Sequence, residues 1–118
     1  MSNHLSRAAV LGAMAVAAGA FGAHALAARV SPERLETWRT AASYQLVHSV
    51  LLAALALQGD PRPWARRLIT AGLVVFAGTL YLLVLLDLPV LGAVTPLGGA
   101  SLIAGWVALA YAPRAPES

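Results

Sequence analysis

At 118 residues the chain has room for a single domain. It is 59% hydrophobic and 11% charged, against about 45–50% and about 25% in soluble domains, and its mean hydropathy is +0.73. Such a chain cannot cover itself in water, so the surplus apolar area faces lipid or partners. The net charge of +3 comes from eight arginines, with no lysine, against five acids. Because those arginines punctuate hydrophobic runs, they carry topology and not nucleic-acid binding. Cysteine is absent, which excludes disulfides and thiolate metal sites.

Residues 1–7 form a short polar lead, with Ser2 or Asn3 placed to cap a helix. The first apolar run follows over 5–28, with Arg7 and His24 as its ionisable groups. A signal peptide would also show a basic start and the small residues of Ala25-Leu26-Ala27. The run is rich in Gly and Ala, however, and Ala15, Gly19 and Ala23 recur every four residues, the spacing of membrane helix contacts. It is read as a retained span.

Ser31-Pro32 starts a second helix, with the cap and then proline in the first turn. This span, 33–57, enters past Glu33, Arg34, Glu36 and Arg39, with Trp38 expected at headgroup level. Gln58–Pro63 is a loop by its Gly and two Pro residues. The third span covers 64–86 and ends at Asp87 and Pro89. Thr95-Pro96 starts the fourth, 95–111, close to the minimum of about 17 residues for a crossing. Short loops between four spans predict an all-α integral membrane four-helix antiparallel bundle, one transmembrane domain over 1–118. Arg7, Arg62, Arg66, Arg67 and Arg114 fall on one side, and Arg29, Arg34 and Arg39 on the other. That bias predicts a multi-pass protein of the bacterial inner membrane with both termini cytoplasmic.

Polar residues inside these spans are where a function would sit. Counting helical rise places His24, Tyr44, Gln45, His48, Thr79, Tyr81 and Ser101 in one band on the outer side, while Thr70 is the main polar residue of the inner halves. An intramembrane histidine either locks two helices through its ring nitrogens or serves a substrate, ion or proton site. The lock is the expected role. His24 and His48 lack a third ligand for zinc and no haem-attachment motif accompanies them, so neither metal nor cofactor is expected. Gly19, Gly22, Gly78, Gly98, Gly99 and Gly105 are expected to serve helix packing.

Five motifs line up along the chain: GAFGAH at Gly19–His24, YQLVH at Tyr44–His48, FAGTLY at Phe76–Tyr81, TPLGG at Thr95–Gly99, and Gly105-Trp106. Their order and spacing resemble the membrane family catalogued as domain of unknown function 423, related to eukaryotic transmembrane protein 256. The family pattern often has Ser where this chain has Ala77 and Thr79, and only Thr79 keeps a hydroxyl. The resemblance implies a small bacterial inner-membrane protein and brings no established activity. The function expected is non-enzymatic: helix packing in lipid with a second copy or within a larger membrane complex. The alternative is a transport or conduction unit, or a lipid or quinone site, built on His24, Tyr44 and His48.

Overall fold

The computed structural model of the chain describes residues 3–111 and 113–114. Helix α1, Asn3–Phe21, runs into a π turn over Gly22–Leu26. Helix α2 is Pro32–Leu57 and α3 is Pro63–Leu86. A 3₁₀ turn, Pro89–Ala93, leads into α4, Thr95–Tyr111. All four helical segments are long and apolar enough to cross a membrane.

Local chemistry fixes the breaks. The Ser31 hydroxyl accepts the Arg34 backbone N–H at 3.2 Å, capping α2 ahead of Pro32. At the far end of α2, Gly59 adopts φ +83°, and the amides of Gly59 and Asp60 return to the Ala56 and Leu55 carbonyls. This is a Schellman cap, in which glycine enters the left-handed region without a Cβ clash. Asp87 takes the same left-handed place after α3, with Leu88 returning to the Leu83 carbonyl at 3.1 Å. The fourth crossing is less short than its helix. The 3₁₀ turn extends it to 23 residues, Pro89–Tyr111.

The protein is an all-α membrane bundle in which each helix packs on the next, α1 on α2, α2 on α3 and α3 on α4. Among the described residues, non-consecutive helices make no close backbone approach. The result is an open arrangement of 52 × 26 × 17 Å. Ala8, Ala41, Leu52, Ile69, Leu73, Ala77 and Leu102 form the main core, with every helix contributing. The tightest seam is α3 on α4. A Cβ on Gly72 would stand 2.7 Å from the Leu102 backbone nitrogen, one on Gly105 2.5 Å from Ile69 Cγ1, and one on Gly98 would strike the Phe76 backbone. Small residues on both faces let the two backbones touch.

One expectation is corrected here. Trp38 is not a headgroup anchor, since it is only 5% exposed and sits in a second core with Leu26 and Val84. Gly19 and Gly78 border open space, since a Cβ on either would meet no atom of a neighbouring helix within 4 Å among the described residues. Gly99 makes only ordinary contact, 3.8 Å from the Phe76 ring.

Candidate functional site

Helix α2 organises the polar interior. Trp38, Ala41, Gln45, Ser49, Leu52 and Leu55 are buried on it at intervals of three or four residues, one face of the helix. Gln45, 4% exposed, stands between α1 and α3. Its Nε2 donates to the Leu11 carbonyl at 2.8 Å, and its Oε1 accepts the Tyr81 hydroxyl at 2.6 Å. Both ends of one amide are thereby engaged on different helices. Ser49 donates to the Gln45 carbonyl at 2.6 Å, so its hydroxyl is spent locally.

Two turns nearer the start of α2, the Trp38 indole N–H donates to the Ala18 carbonyl at 2.7 Å. Gly22 makes room for that ring, because its Cβ would stand 2.6 Å from Trp38 Cδ1. Trp38 also meets Tyr81 at a centroid distance of 4.6 Å and Phe21 at 5.6 Å. Tyr81 is thus held by the ring of Trp38 and by the amide of Gln45.

The other polar contacts lie on different seams. His48 Nδ1 donates to the Tyr44 carbonyl at 2.8 Å, and its Nε2 accepts the Trp106 indole N–H at 3.1 Å. A carbonyl only accepts and an indole N–H only donates, so these partners assign the neutral Nδ1–H tautomer. Tyr44 stacks on His48 and, at 4.5 Å, on Phe76, with its side chain largely exposed. Thr79 and Thr95 share a hydroxyl bond of 2.7 Å, and Ser101 donates to the Leu68 carbonyl at 2.8 Å, so both tie α4 to α3.

The seven expected site residues therefore do not form one cluster. Gln45 joins Tyr81, Tyr44 joins His48, and Thr79 and Ser101 each serve the α3–α4 seam. His24 lies in the π turn, exposed and without a hydrogen-bond partner among the described residues. Trp106, the partner of His48, lies eleven residues beyond Thr95 on α4. Gln45 and His48 face different neighbours, which divides these contacts among separate seams.

Several participants escaped the sequence reading. Trp38 was legible: it lies seven residues before Gln45 on the same face. Gly72 pairs with Gly98 and Leu102 and had no such signal. Arg34 reaches across to donate from Nη2 to the Val84 carbonyl at the end of α3, with Nε 3.9 Å from Asp87 Oδ1. At the opposite end of the bundle, Asp60 Oδ2 pairs with Arg66 Nε at 3.0 Å and lies 3.7 Å from His4 Nε2. Oδ1 of Asp60 is buried without a hydrogen-bond partner among the described residues.

Chemically, these contacts bind helix to helix. Among the described residues they make no nucleophile–base pair, and the apolar recess beside Trp38, Gln45 and Tyr81 is shared with neither His48 nor the α3–α4 contacts. Four apolar crossings held by buried hydrogen bonds define a small integral membrane protein of the all-α class. The chain belongs to the family described as "Protein of unknown function (DUF423)", whose model matches residues 18–99. That stretch holds Trp38, Gln45, His48, Thr79, Tyr81 and Thr95, while Leu11, Ser101 and Trp106 lie outside it. The chain is 42% identical over 103 residues to the UPF0382 membrane protein SAB0533 of Staphylococcus aureus, covering 84% of each. It is 40% identical over 103 residues to SERP0230 of Staphylococcus epidermidis, again 84% of each. To YwdK of Bacillus subtilis it is 36% identical over 105 residues, 84% of this chain and 85% of the relative. No solved structure matches.

Proposed function

We propose that the chain acts without catalysis, as a helical unit of the bacterial inner membrane that associates with itself or joins a larger membrane complex. The arginine distribution supports a cytoplasmic position for both termini. One observation carries this reading. Gln45, His48, Ser49, Thr79, Thr95 and Ser101 each spend their polar atoms on a partner inside the bundle, so none is left facing a substrate.

Association is supported by small residues on faces that the chain leaves open. Gly19 meets nothing within 4 Å, and Ala100 and Ala104 are exposed on α4. Such residues allow close helix contact in lipid, where packing and not hydrophobicity drives association. A transport path through His24, Tyr44 and His48 has less support, because His24 stands apart from the other two. The test is the mass of the native particle after purification in mild detergent. A second copy or a stoichiometric partner is expected. Monomer mass in several detergents and in lipid discs would overturn the association.

A further inference from the structure

Helices α1 and α3 both lean on α2 with no close backbone approach to each other, which leaves a groove between them. Leu52, Gln45 and Trp38 of α2 form its floor. Its recesses share walls from one end to the other. One of about 420 Å³ lies between Arg7, Val10, Thr70 and Val74, and one of about 380 Å³ lies between Met14, Ala17, Trp38 and Tyr81. Leu11, Val74 and Gln45 line the narrower passage that joins them. The walls are apolar, with Val10 57%, Met14 56% and Val74 60% exposed. The amide of Gln45 on the floor is already engaged at both ends.

The groove ends in positive charge on the side that holds the start of α1. Arg7 is exposed there and has no ion pair among the described residues, with the Ser6 and Thr70 hydroxyls beside it. Asp60 does not neutralise it, because that carboxylate is taken by Arg66 at 3.0 Å with His4 at 3.7 Å. We propose that this groove seats one anionic phospholipid, its phosphate at Arg7 and an acyl chain running along α1 toward Trp38.

Length and charge select this occupant. Half of a hydrocarbon core of about 30 Å is about 15 Å, which corresponds to about ten residues of helix. Ten residues beyond Arg7 is Ala17, at the recess walled by Met14, Trp38 and Tyr81. Among the described residues, a second copy in the same orientation brings no unpaired acid to Arg7, since Glu33, Glu36 and Asp87 lie at the other end and Asp60 bonds Arg66; the fifth acid, Glu117, lies outside them. A lipid phosphate supplies the missing charge at that depth, the arrangement by which basic recesses between membrane helices select anionic headgroups. The groove is lined by α1, α2 and α3 and by no residue of α4, so a lipid can seat there whether or not copies associate.

The test presents the delipidated full-length chain, in mild detergent, with equal amounts of phosphatidylglycerol and phosphatidylcholine of the same acyl chains. Bound lipid is counted by native mass spectrometry. Phosphatidylglycerol should be preferred, and Arg7→Gln should reduce its binding on the order of fivefold while phosphatidylcholine is unchanged. Val74→Trp, at an exposed groove wall, should lower both. Gly78→Leu, where an added Cβ meets nothing in the chain, should do the same if the tryptophan variant unfolds. Arg114→Gln should bind as the unaltered chain does. Equal binding of the two lipids, or no effect of Arg7→Gln, would overturn the proposal. So would copy-to-copy cross-linking through Val74→Cys in membranes, which would put a second copy in the groove. A monomeric particle carrying phosphatidylglycerol would sink the association reading and leave the lipid seat standing.

Discussion

Trp106 donates its indole N–H to Nε2 of His48 across 3.1 Å, joining α4 to α2 over the intervening α3. Since α2 and α4 make no close backbone approach, these side chains carry the connection. Interhelical hydrogen bonds in membranes average about 0.6 kcal/mol, with a maximum near 1.7. His48→Gln keeps an acceptor for Trp106 and should cost less than about 0.5 kcal/mol of stability in detergent. His48→Leu leaves a donor unmatched and should cost about 1 kcal/mol or more. Thermal unfolding of the pair decides the matter. Equal losses for both variants would mean that ring packing, not the hydrogen bond, holds the seam.

Gln45 and Tyr81 should be coupled. Their bond of 2.6 Å lies in a buried setting and forms half of the amide clamp. Tyr81→Phe alone orphans Gln45 Oε1, while Gln45→Leu alone orphans both the hydroxyl and a second tie to α1. A double-mutant cycle should return about 0.6–1.7 kcal/mol of interaction. Additive single losses would show that the two groups contribute independently.

Glycines should divide by location. Gly98→Ala drives a methyl into the Phe76 backbone, and backbone yields poorly, so a loss of about 1–3 kcal/mol is expected. Gly19→Leu adds a side chain where no atom stands within 4 Å. It should leave unfolding of the isolated bundle unchanged and act only on particle mass, if α1 serves an interface. A collapse of the Gly19→Leu bundle would contradict this placement.

Arg34 should matter more than its acidic neighbour. Its guanidinium reaches the Val84 carbonyl at the negative end of α3, whereas Asp87 is 71% exposed at 3.9 Å. Helix-end charges of this kind contribute about 0.3–1 kcal/mol, and exposed ion pairs contribute little. Arg34→Ala should therefore lower thermal stability measurably, and Asp87→Asn should not. The reverse order would place the effect in the ion pair.

Topology reporters give a final check. Fusions in the Gln58–Pro63 turn and at the C-terminal end should report the cytoplasm together, and a fusion in the Leu88–Ala93 stretch the opposite side. A split between the first two would break the four-crossing count.

The sequence by itself determined the membrane class, the four crossings and the breaks between them. Ser31-Pro32, the Gly59 turn and the Asp87 stop act through local hydropathy and backbone chemistry, which need no knowledge of neighbours. Depth estimates placed Tyr44, Gln45 and His48 within one band for the same reason. Direction was another matter. Successive helical residues point about 100° apart, so Gln45 turns to α1 and α3 while His48 turns to α4, and no count along the chain says which helix waits there. Only the tertiary structure decided that Trp38 is interior and that His24 lies outside the bundle. It also decided that Gly72 meets Gly98, and that α1 and α3 stand apart. Those outcomes depend on how closely two backbones approach, and that is set by small residues on both helices at once.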